Sequence, residues 1–466
     1  VSPASPVHPG ATAALVAFVT DRSRPADPAT RAALRDLVVD TVGVAVAGRT
    51  TEPVRLLEDW LREEEPAERG AVRPGTAAAW GSPRRLGPAD AALVNGTAAH
   101  ALDWDDAAPS MAMHPAAVLL PTLFALAARR PVSGPELDAA YCVGSAVFRA
   151  VSETLPHALH YGRGWHNTST TGRLAATAAG AHLLGTPPAT TAHAIGMAAS
   201  MAAGSLANFG SMTKPMHAGL AARDAVMALG LASRGFTANP AQLEARGGFL
   251  HLFGEYDAGL AARLGERLEH WATAWVHDFA IKPYPSCFAT QRAIDAAREL
   301  RAELAAQGSG PADVARVEVS LEHGGTRPLR DAPPRTGLEA KFSVEYTVAL
   351  ALVAGDVVLD DFTDAALARP DVAALAPRVH LSERPPAEGP GHTVVRVHTA
   401  AGRVLERTVH HSRGDAHNPL TAPELAAKFR QCAGPDSDAW FEQLRAVPDA
   451  ASTADLQTVL AGPPRA

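Results

Sequence analysis

The sequence predicts a mainly α-helical protein, with a large all-helical body and a smaller α+β module. Three observations carry this expectation. From residue 11 to about residue 300, apolar residues recur at helical spacing in segments dense in alanine and glycine. Around residue 311 the period switches to alternation. Beyond Pro419 it turns helical again.

Taken in order, Leu34, Leu37, Val38 and Val42 share one helical face. Helices are expected over 88–101, 115–129, 135–151, 170–184, 189–206, 218–233 and 288–306. Gly185-Thr-Pro-Pro188 separates two of them, and Gly235-Phe-Thr-Ala-Asn-Pro240 ends another. Several are apolar nearly all round, which suits the interior of a large helical body. In the module, Val317, Val319 and Leu321 alternate with Glu318 and Ser320, a strand pattern. Val379 to Glu383 is a weaker strand. Thr393–Thr399, Ala-Ala-Gly402 and Arg403–His410 read as a hairpin. Ser343–Val353 and Thr363–Leu375 read as helices, which completes a module of domain size. Helices return from Pro423 to Cys432 and after Ser437.

The chain has 466 residues, 47% hydrophobic and 20% charged, enough for two or three domains with a large core. A net charge of −7 argues against a nucleic-acid partner, so an anionic substrate needs a local basic pocket. The three cysteines, Cys142, Cys287 and Cys432, are far apart; this predicts a reducing, cytoplasmic setting without disulfides. No CxxC occurs, so no iron–sulfur cluster is expected. The start, Val1-Ser-Pro-Ala-Ser-Pro6, shows no export signal. The apolar run Pro115–Ala128 is short of the ~20 residues that span a bilayer, so no membrane partner is expected.

The chemistry concentrates in a few motifs. His100-Ala-Leu-Asp-Trp-Asp-Asp106, with Met113-His114-Pro115, gathers acids and imidazoles. Asp103, Asp105 and Asp106 lie between apolar residues, and a buried carboxylate must be paired or hydrogen-bonded. A solvated acidic run and a divalent metal site stay open as readings, although no HExxH or EF-hand spacing occurs. His114 and His166 each sit beside a turn signal; each reads as a catalytic imidazole or a structural one. His157 and His160, three apart, suggest a surface pair. Lys214, Lys282, Lys341 and Lys428 are the only lysines in an arginine-dominated chain, so each asks for a reason. Lys214 and Lys282 both precede proline, which disfavours a plain surface helix. Cys287 is open to two readings, a thiolate beside Lys282 or a buried inert thiol.

Together these motifs resemble the MmgE/PrpD family. The match runs in order over nearly the whole chain: the His100–Asp106 motif, His114-Pro115, Arg163-Gly-Trp-His166 with Gly172, Lys214-Pro-Met-His217, Gly235-Phe-Thr237, Lys282-Pro-Tyr-Pro-Ser-Cys287, Lys341-Phe-Ser343, and Gly414-Asp415 with Asn418-Pro419. The resemblance implies a helical domain made of residues 1–275 and 411–466, with an α+β lid inserted over 276–410. It implies a homodimer and a site without metal or cofactor in the cleft between the domains. It places active-site residues at Asp103, His114, His166, Lys214 and Lys282, and substrate contacts at Cys287, Tyr284, His217 and Ala107. The sequence departs from the pattern at Ala107, where relatives often carry threonine, and at Ser145-Ala146, where a Tyr-Glu pair is common.

The expected activity is a cofactor-independent lyase acting on a small di- or tricarboxylic acid. Dehydration of a 2-methylcitrate-like hydroxy acid leads, with cis-aconitate-type decarboxylation and iminodisuccinate-type epimerisation as alternatives. A non-catalytic acid-binding protein is the competing class. In this reading Lys214 and Lys282 hold carboxylates, the two imidazoles move protons, and Asp103 orients one imidazole. Removing His166 or Lys282 is then expected to stop turnover and spare the fold.

Overall fold

The computed structural model describes residues 10–463 apart from 25–26, 65–74, 157–158, 256–258 and 387–390. His157 and Val1–Pro6 therefore lie outside the described residues. The fold is mainly helical, as expected. One hydrophobic core gathers residues from Ala11 to Ile281 and then again from Leu425 to Leu460. A second core runs from Tyr284 to Val409. The chain thus leaves the helical body, builds the α+β module, and returns.

The helical body forms because its helices are small-sided. Pro88–His100 and Thr213–Ala232 pack against each other with Gly96 facing Gly219. A Cβ on Gly219 would sit 2.2 Å from Thr97 Oγ1 and 2.3 Å from the Leu93 carbonyl oxygen. That close approach brings His100, the last residue of the first helix, and Lys214, in the first turn of the second, to the same end of the pair. Gly219→Ala overpacks this contact and is expected to cost about 1–3 kcal/mol, read as a lowered denaturation midpoint. Ala116–Ala127 is buried along its whole length, and Asn167–Leu184 along nearly all of it. Arg149, in Gly134–Thr154, is buried against Asp278 with 3.0 Å between Nε and Oδ2.

The module is a four-stranded sheet. Val314–Leu321 is central, parallel to Val379–Glu383 on one side and antiparallel to Thr393–Thr399 on the other; Val404–Val409 closes the hairpin. Phe288–Ala306 and Val344–Ala354 contribute their buried faces to the same core. The first of these lies within the 276–410 span that the resemblance gives to the lid.

Three helix expectations change. The segment 189–206 ends at Ser200, because the chain must pass Gly204 at φ +131, whose carbonyl accepts from His166 N. A Cβ there would lie 2.5 Å from Ser169 Cβ. The segment 218–233 begins earlier, at Thr213, so Lys214 is helical; Pro215 is tolerated because first-turn amides have no intrahelical acceptor. The segment 363–375 is broken into Ala366–Ala368 and Pro370–Leu375, since Pro370 has no amide hydrogen to continue a helix. His160 is buried rather than superficial, its Nε2 2.9 Å from Thr170 Oγ1. Among the described residues, no helix is long and apolar enough to cross a membrane.

The two cores meet at a seam of backbone bonds. Ala107 and Ala280 exchange both N–H···O bonds, Ile281 N donates to Gly414 O, and Ala416 N donates to Phe279 O. The outgoing and returning chains thus run side by side, beside the acidic loop.

Candidate active site

The acidic loop follows the end of the Pro88–His100 helix. Asp103 has φ +52, a left-handed conformation that costs a non-glycine residue energy and that Asp tolerates better than most. The surrounding bonds hold it there. Lys214 Nζ lies 2.5 Å from Asp103 Oδ2. Lys282 Nζ donates to Asp103 Oδ1 at 2.6 Å and to the Asp103 carbonyl at 2.5 Å. Lys428 Nζ donates to the next carbonyl, of Trp104, at 2.8 Å, and pairs with Asp40 at 2.5 Å. Lys341 Nζ donates to the Pro285 carbonyl at 2.8 Å. All four lysines are therefore buried, and three of them clamp this loop.

The loop's carboxylates do different work. Burial favours protonated Asp103, but Lys214 and Lys282 outweigh it and hold the carboxyl well below its usual range. Asp105 is likewise held well below, against burial, by His100 and His114 beside it and by Lys282. Burial, reinforced by Asp105, pushes Asp106 well above. Asp106 accepts from Ala116 N at 3.0 Å and so caps the Ala116–Ala127 helix. Burial also holds Lys341 down at about 7, despite Asp103.

The imidazoles are oriented by Asp105, not by Asp103. His100 Nδ1 is 2.8 Å from Asp105 Oδ2, and His114 Nδ1 is 3.3 Å from the same oxygen. His114 Nδ1 also lies 2.7 Å from the Asp106 carbonyl. Both neighbours of His114 Nδ1 are acceptors, so that nitrogen carries a proton. His166 Nδ1 faces His217 Nδ1 at 3.1 Å. Burial, with His100 and Lys214 nearby, holds His166 well below the usual imidazole range. The same cause puts His100 at about 3 and His217 at about 4. His100, Asp105 and His114 also form a group of metal-ligand types with atoms within 4.8 Å. A protonated Nδ1 donating to a carbonyl is no ligand, however, which removes His114 Nδ1 from such a set.

These imidazoles set a pH dependence. Unfolded, they titrate near 6.5; folded His100 and His217 do so at about 3 and about 4. Between those values the unfolded chain binds more protons, so stability falls as the pH drops below 6.5. The loss is up to about 1.4 kcal/mol per pH unit for each group. The thermal unfolding midpoint is expected to fall from pH 7 to pH 5; a level or rising midpoint contradicts the burial of neutral imidazoles.

A cavity of about 180 Å³ lies between the helical body and the module. His114, His166 and Lys214 line it from the body, and Cys287, Arg292 and Glu322 from the module. Phe209 and Phe342 flank the Lys214 ammonium at 4.9 and 5.0 Å and fix where it reaches. Ala107 lines the wall. Cys287 lines it as a thiol: burial and Asp103 push its pKa up to about 11, so the thiolate reading is not supported.

Other expected residues do not line the cavity. Asp103 and Lys282 lie beneath it, bonded to each other; Lys282 is fully buried. Removing Lys282 is therefore expected to disturb the fold as well as the site, where the sequence reading expects the fold to be spared. His217 stands behind His166. Tyr284 turns away: its hydroxyl donates to Asp295 at 2.7 Å and accepts from Arg298 at 2.7 Å, which corrects its assignment as a substrate contact. Sequence reasoning missed His100, whose Nε2 is buried without a partner among the described residues, and Tyr161 and Arg292 in the wall. His100 opens the motif that was singled out; Arg292 carried no signal among so many arginines.

Residues 13–259 match the MmgE/PrpD N-terminal domain, and residues 284–443 match the MmgE/PrpD C-terminal domain. Human cis-aconitate decarboxylase is 27% identical, the alignment covering 84% of this chain and 81% of the relative. The mouse cis-aconitate decarboxylase is 28% identical over 84% of this chain and 80% of its own. A cis-aconitate decarboxylase-like protein of Aspergillus oryzae is 27% identical over 97% and 96%. With both domains matched, the chain belongs to the MmgE/PrpD family and is an enzyme of its lyase type.

Proposed function

We propose that the chain is a cofactor-independent carboxy-lyase that removes carbon dioxide from a small unsaturated tricarboxylic acid of the cis-aconitate type. The observation that carries this reading is the convergence of His114, His166 and the Lys214 ammonium on one small cavity. The relatives named cis-aconitate decarboxylases support it over the dehydration expected first.

The chemistry balances without an oxidant or a carrier. Carbon dioxide leaves from a carboxymethyl arm, and its bonding pair forms a new double bond to the central carbon. The original alkene pair takes a proton at the far carbon, which bears a carboxylate. Lys214 holds that carboxylate as negative charge develops on it. His114 Nε2, the ring nitrogen not committed to Asp105 and the Asp106 carbonyl, delivers the proton to carbon. Asp105 keeps the ring in the required tautomer. Asp103 and Lys282 set the height of the floor and hold Lys214 in place. The homodimer implied by the resemblance and the cytoplasmic setting expected from the cysteines belong to the same proposal.

The test is incubation with citrate, 2-methylcitrate, cis-aconitate and iminodisuccinate, with products read by mass. Loss of carbon dioxide from cis-aconitate is the expected result. Loss of water from 2-methylcitrate, or no change of mass in any acid, would overturn decarboxylation in favour of dehydration, epimerisation or binding alone.

A further inference from the structure

A second cluster of ligand-type side chains stands apart from the cavity. His411 Nδ1 and His417 Nδ1 lie 3.3 and 3.1 Å from the same oxygen, Asp415 Oδ1. The ligand atoms of the three residues all lie within 4.8 Å of one another. The two rings are 4.5 Å apart, centroid to centroid, and inclined by 31°. Asp415 is buried, whereas the histidines are 41% and 56% exposed, so the cluster has a fixed base and an open face.

From these distances we propose that His411, Asp415 and His417 bind a divalent transition-metal ion of the zinc type. A tetrahedral site with arms of about 2.0–2.1 Å has edges of about 3.3 Å, close to the nitrogen–oxygen separations already present. Two imidazoles and one carboxylate supply three ligands, and water reaches the fourth position from the groove that His411 and Asn418 line. Binding uses each Nδ1 without its proton, so any proton held there is released as the ion enters. This differs from His114, whose Nδ1 proton is committed to a carbonyl.

The scaffold is rigid before the ion arrives. Gly414 has φ +83, and a Cβ there would lie 1.9 Å from the Ile281 carbonyl oxygen, so the loop sits directly on the outgoing chain. Gly414 N donates to Asn418 O, and Asn418 N donates to Asp415 O, closing the loop on itself. His417 N donates to Asp415 Oδ1 at 2.9 Å and orients the carboxylate. The site therefore lies on the seam where the chain enters and leaves the module, one residue from Lys282 through the Ile281–Gly414 bond. An ion here ties the returning loop together and stiffens the seam. It takes no part in turnover.

The test uses the untagged full chain, stripped with EDTA and titrated with zinc chloride by calorimetry. One equivalent of zinc is expected to bind, and the thermal midpoint to rise with it. His411→Ala/His417→Ala is expected to weaken binding at least tenfold, to abolish the midpoint rise, and to keep its metal-free turnover. His114→Ala is expected to bind zinc as the unaltered chain does. No binding to the unaltered chain, equal affinity in the double variant, or loss of binding in His114→Ala would each overturn the proposal.

Discussion

Lys282→Met lowers the unfolding free energy by about 3–5 kcal/mol, read from the denaturant midpoint. The size follows from what the ammonium leaves behind. Lys282 is fully buried and donates twice to Asp103, with Asp105 Oδ1 at 3.6 Å. Methionine fills the space of the side chain but leaves two buried carboxylates short of a counter-charge. It also loses a bond to the carbonyl of a residue at φ +52, a backbone that holds only while its surroundings over-determine it. Turnover falls with stability in this variant. A midpoint within experimental error of the unaltered chain would show that Lys214 alone can hold Asp103.

His114→Ala lowers kcat by about 10²–10⁴-fold, the range for losing a positioned proton donor or acceptor. Unlike Lys282, His114 lines the cavity, so the fold should lose little. The separation of the two variants is the informative part. His114→Ala should keep the thermal midpoint and lose kcat, whereas Lys282→Met should lose both. A His114→Ala enzyme with near-normal kcat would leave His166 as the proton-carrying imidazole and remove the role drawn for Asp105.

Much of this was readable from the chain, for definite reasons. The Thr393–Thr399 and Val379–Glu383 strands fall where alternation put them, because a half-buried strand writes its two faces directly into the sequence. The scarcity of lysine was a true signal: all four are buried. In an arginine-rich chain, a retained lysine marks a place that needs a compact point charge. The division of labour within Asp103-Trp-Asp-Asp106 was not readable. It depends on the left-handed turn at Asp103, after which Asp103 meets the lysines and Asp105 the imidazoles. Three aspartates with the same side chain carry no mark of that turn. Tyr284 misled for a related reason. It sits in the Lys282–Cys287 motif, but the two prolines around it direct Cys287 to the cavity and its own ring into the second core.

The central claim is that the cavity exchanges a carboxylate for a proton on carbon. Turnover of cis-aconitate in deuterium oxide tests it most directly, with released carbon dioxide counted and the product examined by mass and proton resonance. One carbon dioxide per product is expected, with one carbon-bound deuterium on the carbon next to the carboxylate that Lys214 holds. A product that keeps all three carboxylates, or carbon dioxide release no faster than without the enzyme, would contradict it.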